Sequence, residues 1–174
     1  MKPTDTNANF DYKPTKPNKP NNMELLTGIT VRKTNHSKIK EVDFNALEFG
    51  KYVADHMLVC DYADGEWQSP VILPFANLSL NPSTLALHYG QTVFEGMKAF
   101  RMSAGSGGTD ERINIFRLDK HYERFGRSLD RMCMAVPPRE IFTEGLLKLV
   151  ETDRDWVPGQ AGAALYLRPF VYAS

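Results

Sequence analysis

Hydrophobic and polar residues along the chain alternate with two periods, and the switch between them divides it. From residue 28 to about 117 the apolar positions recur every second residue in short runs. "GITVRKT" (28–34) predicts a strand. "VADHMLVCDYADGEW" (53–67) predicts a strand, an Asp64–Gly65 turn and a returning strand. "SPVILPFANLSL", broken by Pro70 and Pro74, reads as irregular, partly extended chain. "LHYGQTVFEG" reads as a tight loop with one helical turn. "MKAFRM" and "RINIFRL" are short alternating runs around "SAGSGGTD", a flexible surface loop joining a hairpin. Then the period lengthens. Leu118, Tyr122, Phe125, Leu129 and Met132 fall at helical steps, with Asp119 as the expected cap. Pro137 and Pro138 end that helix and open the next, "REIFTEGLLKLVETDRDW", whose stripe carries Phe142, Leu146, Leu149 and Asp153. "AGAALYLRPFVYA" returns to strand. Adjacent strands with two late consecutive helices predict an α+β fold, a mostly antiparallel sheet with both helices on one face.

The first 22 residues change the picture. "MKPTDTNANFDYKPTKPNKPNN" is rich in Lys, Pro and Asn, has almost nothing to bury, and is expected to be a disordered extension of a domain spanning 23–174. It lacks the apolar run of a secretory signal and the arginines of a mitochondrial presequence, and Met23 is an alternative start. The 174 residues carry 21 basic and 21 acidic side chains, so the formal charge is zero. That argues against partners captured by long-range attraction, nucleic acid or a membrane surface. No apolar run reaches the roughly 20 residues of a membrane helix. Cys60 and Cys133 form no metal-binding or redox spacing and suit a reducing, cytoplasmic setting. No metal site is expected.

Three constellations could carry chemistry. Arg168 interrupts an apolar strand and shares parity with Tyr166, so phenol and guanidinium face the same side and suit a carboxylate. The bland alternative is an internal ion pair or a wet edge. His121 and Arg124 lie three apart on the first helix and could meet a phosphate; pairing with a nearby acid is the bland alternative. In "HYGQTVFEG", His88, Tyr89 and Glu95 sit among apolar neighbours and could line a pocket, or merely a turn. Phosphate-cradling glycine loops and the nucleophile elbow of serine hydrolases are absent from the sequence.

The words "LHYGQTVFEGMKAFR", "HYERFGRSLDRM" and "LYLRPF" resemble the branched-chain amino acid aminotransferases, pyridoxal-phosphate enzymes of fold type IV. "DHML" and "DRDWVP" resemble the same family, and the likeness runs from about Phe44 to Ser174. It implies the small N-terminal domain of that fold and pyridoxal 5'-phosphate as cofactor. It implies reversible amino transfer from leucine, isoleucine or valine to 2-oxoglutarate, giving glutamate, in a homodimer. On matching positions it makes Arg124 the cofactor-binding arginine, and Phe49, Tyr89, Tyr166 and Arg168 substrate-binding, with Arg168 beside the second carboxylate of glutamate. The Schiff-base lysine of the family lies beyond the position matched by Ser174. The resemblance therefore implies a fragment, inactive alone, with no catalytic residue of its own. Lys98 in "FEGMKAF" is not expected to replace that lysine, because its context differs and an alternating strand can place it outward. Alternatives are a sister enzyme, a D-amino acid aminotransferase or aminodeoxychorismate lyase, and a non-catalytic truncated paralogue that pairs with a full-length subunit.

Overall fold

The structure, a computed structural model, describes residues 28–102 and 112–174. The N-terminal extension over 1–22 and the Gly/Ser-rich loop over 103–110 lie outside the described residues. The described elements are β1 (Thr30–Val31), β2 (His56–Val59), β3 (Tyr62–Ala63), β4 (Glu66–Trp67), β5 (Val71–Pro74), α1 (Leu85–Tyr89), β6 (Thr92–Phe94), β7 (Met97–Met102), β8 (Arg112–Ile115), α2 (Leu118–Arg131), α3 (Arg139–Thr152), β9 (Leu165–Leu167) and β10 (Phe170–Tyr172). The architecture is α+β. Ladders run β1-β5-β2, β3-β4, β10-β6 and β8-β7-β9, all antiparallel except the β1–β5 pair.

The Asp64–Gly65 turn forms as its sequence predicts, with both residues at positive φ (55° and 84°), the twist that closes a two-residue hairpin. The strand β2 does not return onto β4, however. It pairs with β5, His56 opposite Pro74 and Val59 opposite Val71, so the stretch expected to be irregular holds the central strand of its sheet. Pro70 precedes that strand and Pro74 ends it, so neither ring interrupts the ladder between them.

Both helices form where the longer period predicts them. Asp119 does not cap α2. Arg117 occupies the N-cap at φ 54°, and Asp119 in the first turn instead accepts from Arg139 Nη2 at 2.8 Å, tying the start of α2 to the start of α3. The second helix stops at Thr152, short of the expected Trp156, and Arg154–Trp156 tightens into a 3-10 turn. Phe125 and Leu129 of α2 pack with Phe142, Leu146 and Val150 of α3 onto Met97, Ala99, Ile115 and Leu167 of the sheet. Burial of each of these side chains other than Ala99 stabilises the fold by about 1.5–3 kcal/mol. Alternation then sends Lys98, Phe100 and Tyr166 to the opposite, helix-free face, because Lys98 pairs with Tyr166 next to the buried pair Met97–Leu167.

Candidate active site

The segment between β6 and β7 is a sharp elbow, Glu95–Gly96. Val93 points into the core, so Thr92 and Phe94 point away from it. Glu95 N–H donates to Pro169 O at 2.9 Å, which pins this elbow to the one between β9 and β10. The Glu95 side chain turns back under α2. There Phe125 anchors the helix in the core, and Arg124 emerges at the edge of the apolar stripe. The nearly buried Glu95 carboxylate accepts from Arg124 Nε at 2.6 Å, from Arg124 Nη2, and from Gly96 N–H at 2.7 Å. His121 Nδ1 stands 3.4 Å from Glu95 Oε1. Burial alone would raise the pKa of Glu95. The hydrogen bonds from Arg124 and Gly96, the Arg124 charge and His121 outweigh it and hold the carboxyl below its ordinary value of 4.5. The same pairing raises the pKa of Arg124.

The acid pairing entertained for Arg124 therefore exists, yet it leaves the guanidinium usable. Glu95 takes the side-on edge, Nε and Nη2. Nη1 has no partner among the described residues, and 59% of the side chain is exposed. An end-on guanidinium edge facing solvent is chemically suited to the oxygens of a phosphate.

On the helix-free face, Tyr166 and Arg168 come together as their parity predicts. Arg168 Nη2 donates to the Tyr166 hydroxyl at 2.9 Å, with Nε at 3.3 Å. The guanidinium lies 4.4 Å from the centroid of the Phe94 ring and 5.0 Å from that of Tyr166. Phe49 meets Tyr166 edge to face at 5.2 Å. Arg168 is exposed and has no carboxylate partner among the described residues, so the wet-edge alternative holds, with π faces as its lining. Gly96 makes this packing possible. A Cβ there would sit 2.9 Å from Tyr166 Cζ and nearer still to the hydroxyl oxygen.

Two expectations fare differently. Tyr89, at the C-terminal end of α1, is 79% exposed, and its ring pairs with that of His88, 6.2 Å between centroids, rather than with the rings of the Phe49–Tyr166–Arg168 cluster. Of the three polar residues read as pocket-facing in that segment, only Glu95 turns inward; His88 is exposed and meets Pro82 O at 2.7 Å. Lys98 is exposed but lies directly across from Tyr166, on the same face. Phe94, an apolar neighbour in the same segment as Glu95 with no role expected from the sequence, joins the Arg168 cluster. Its signal was its parity with Thr92 against the buried Val93.

The words "DHML" and "DRDWVP" meet in space. His56 Nδ1 donates to Asp153 Oδ1 at 2.6 Å, and His56 N–H donates to Oδ2 at 2.9 Å. Thr34 N–H donates to His56 Nε2 at 2.9 Å, which places the imidazole proton on Nδ1. Trp156 Nε1 donates to Asp55 Oδ2 at 2.9 Å, and Asp55 also accepts from Lys38 N–H. Burial pushes the Asp153 pKa up more than the His56 contacts bring it down. A shallow cleft of about 180 Å³ lies over this clamp and shares no residue with the two arginine clusters. Since Asp55, His56 and Asp153 are all partnered, the clamp reads as structural. No group of acidic, His or Cys side chains among the described residues could hold a metal ion, and no helix among them is long and apolar enough to cross a membrane.

No protein-family model matches the chain. Among curated proteins it is 43% identical over 151 residues to branched-chain-amino-acid aminotransferase 2 of Bacillus subtilis (strain 168), covering 86% of this chain and 40% of that protein. It is 45% identical over 133 residues to branched-chain-amino-acid transaminase 1 of the same organism, covering 76% and 36%. It is 43% identical over 128 residues to the branched-chain-amino-acid aminotransferase of Mycobacterium tuberculosis (strain ATCC 25618 / H37Rv), covering 72% and 33%. The chain thus spans 40% or less of the length of these three relatives.

Proposed function

We propose that this chain, a relative of the branched-chain-amino-acid aminotransferases by sequence, supplies the phosphate grip and one wall of the substrate pocket of such an enzyme. The observation that carries the proposal is the Arg168 cluster. A cation without a carboxylate partner among the described residues lies against two aromatic faces and a phenol. Amino transfer between a branched-chain amino acid and 2-oxoglutarate needs one pocket for an aliphatic and an acidic side chain in turn. Phe49, Phe94 and the Tyr166 ring offer apolar surface to the first. Arg168, with the Nε and Nη2 edge of its guanidinium held by the Tyr166 hydroxyl, offers charge-assisted hydrogen bonds to the distal carboxylate of the second.

Arg124 would hold the cofactor phosphate through its end-on edge, oriented from behind by Glu95. Pyridoxal 5'-phosphate, when bound, supplies the electron sink that amino transfer requires. The residues of this chain bind and orient; none is assigned a proton transfer. Tyr89, well exposed and ring-paired with His88, would serve a pocket shared between the subunits of a homodimer. The free thiols Cys60 and Cys133 suit the cytoplasm.

The test is a chimera in which residues 28–174 replace the matching segment of the Bacillus subtilis aminotransferase 2. The expected result is turnover of leucine with 2-oxoglutarate, with Arg168→Ala impairing the 2-oxoglutarate half-reaction more than the leucine half-reaction. A folded chimera without turnover, or an equal loss in both halves, would refute the assignment.

A further inference from the structure

We infer that Glu95 is a positioning residue: it holds Arg124 by the side-on edge of the guanidinium so that the end-on edge is presented to a phosphate. The inference rests on the reading of Arg124 as the phosphate-gripping residue and adds to it what fixes that arginine in place.

A lone arginine on an exposed helix face has many rotamers, and ordering it on binding weakens affinity. Arg124 has been ordered beforehand. Nε and Nη2 both bond to one carboxylate. That carboxylate is fixed in turn by Gly96 N–H at 2.7 Å, and the backbone of Glu95 is fixed by Pro169 O at 2.9 Å. Glu95 is 4% exposed, so its side chain has little room to choose another pose. Two of the five guanidinium N–H bonds are spent on Glu95, and the second one on Nη2 faces His121 Nδ1 at 3.4 Å. Those on Nη1 remain, and they lie on the edge that can grip a second oxyanion. His121 is 3.4 Å from both partners and closes the remaining side of the pair.

The carboxylate also has an opposing effect. Its negative charge cancels much of the field that Arg124 would exert on an anion. Positioning and neutralisation predict opposite signs for the removal of that charge, which makes the inference decidable. If positioning dominates, Glu95→Gln weakens phosphate binding; if neutralisation dominates, it tightens it.

The experiment titrates inorganic phosphate into the 174-residue chain and reads the Arg124 side-chain Nε–Hε resonance, assigned through Arg124→Lys. In the wild type, Hε should be resolved, slowly exchanging, and still protected at saturating phosphate, because Glu95 keeps its edge. In Glu95→Gln that protection should be lost, and phosphate affinity should fall roughly three- to tenfold. Equal or tighter phosphate binding by Glu95→Gln would overturn the inference while leaving Arg124 as an anion site. Should that variant not fold, loss of Hε protection on phosphate binding in the wild type overturns it equally, since the anion would then displace the carboxylate. If Arg124→Ala and the wild type bind phosphate with equal affinity, judged by backbone amide shifts, the reading of Arg124 itself fails, and this inference with it.

Discussion

Gly96→Ala is the smallest change that should disturb the Phe49–Tyr166–Arg168 cluster proposed as a substrate wall. The added methyl group would meet Tyr166 Cζ at 2.9 Å and Cε2 at 3.3 Å, with the hydroxyl oxygen closer. Non-bonded carbon atoms prefer about 3.5–4.0 Å, so the ring must retreat by about 1 Å. Overpacking a closed core typically costs about 1–3 kcal/mol. Tyr166 is half-buried and faces the helix-free side, so it can swing outward, and the low end applies: about 1 kcal/mol. The larger effect is on geometry. The bonds from Arg168 at 2.9 and 3.3 Å and the 5.2 Å edge contact with Phe49 both depend on the ring position. Urea denaturation should show a midpoint lower by about 0.5 M, taking a slope near 2 kcal/mol per molar. The decisive comparison is the same substitution in a Tyr166→Ala background, where the obstacle is gone and the cost should vanish. An equal cost in both backgrounds would refute the argument and place the strain in the backbone.

The polar clamp should be expensive to break: His56→Ala leaves Asp153 Oδ1 and Thr34 N–H without partners inside the fold, so stability should fall by about 2–4 kcal/mol by denaturant titration. A loss under about 0.5 kcal/mol would mean that water replaces the imidazole freely. Glu95 should contribute to acid unfolding. Its folded pKa lies below the ordinary 4.5, so its stabilisation is present above that value and disappears as pH falls through the lower folded value. Thermal unfolding followed from pH 6 downward should lose stability less steeply in Glu95→Gln than in the wild type, and identical slopes would contradict the ion pair with Arg124.

Local periodicity made the elements legible, and non-local pairing limited the rest. The step of three and four from Leu118 to Leu129 placed α2 because a helix buries its own stripe whatever lies opposite. Parity brings Tyr166 and Arg168 together even though β9 ends at Leu167 and Arg168 lies in the elbow before β10. By contrast, Val71–Pro74 is masked by Pro70 just before it and Pro74 at its end, and its identity as a strand depends on pairing with β1 and β2, which lie outside its own local pattern. The cap of α2 was misplaced because Arg117 takes a left-handed conformation that few non-glycine residues adopt. Glu95 as the partner of Arg124 could be suspected only generically, since 29 residues and two strands separate them. The clamp between His56 and Asp153 spans 97 residues and left no local signal at all.

The central claim, that Arg124 is the phosphate grip of an aminotransferase site, is tested most directly by cofactor retention. The measurement is the absorbance of pyridoxal 5'-phosphate left on the chimeric enzyme after gel filtration, with and without Arg124→Ala. The account predicts a full complement in the parent chimera and retention weakened roughly tenfold or more in the variant, with the fold intact by circular dichroism. Equal retention in the two proteins would contradict it, and would make Arg124 no more than the surface end of the Glu95 ion pair.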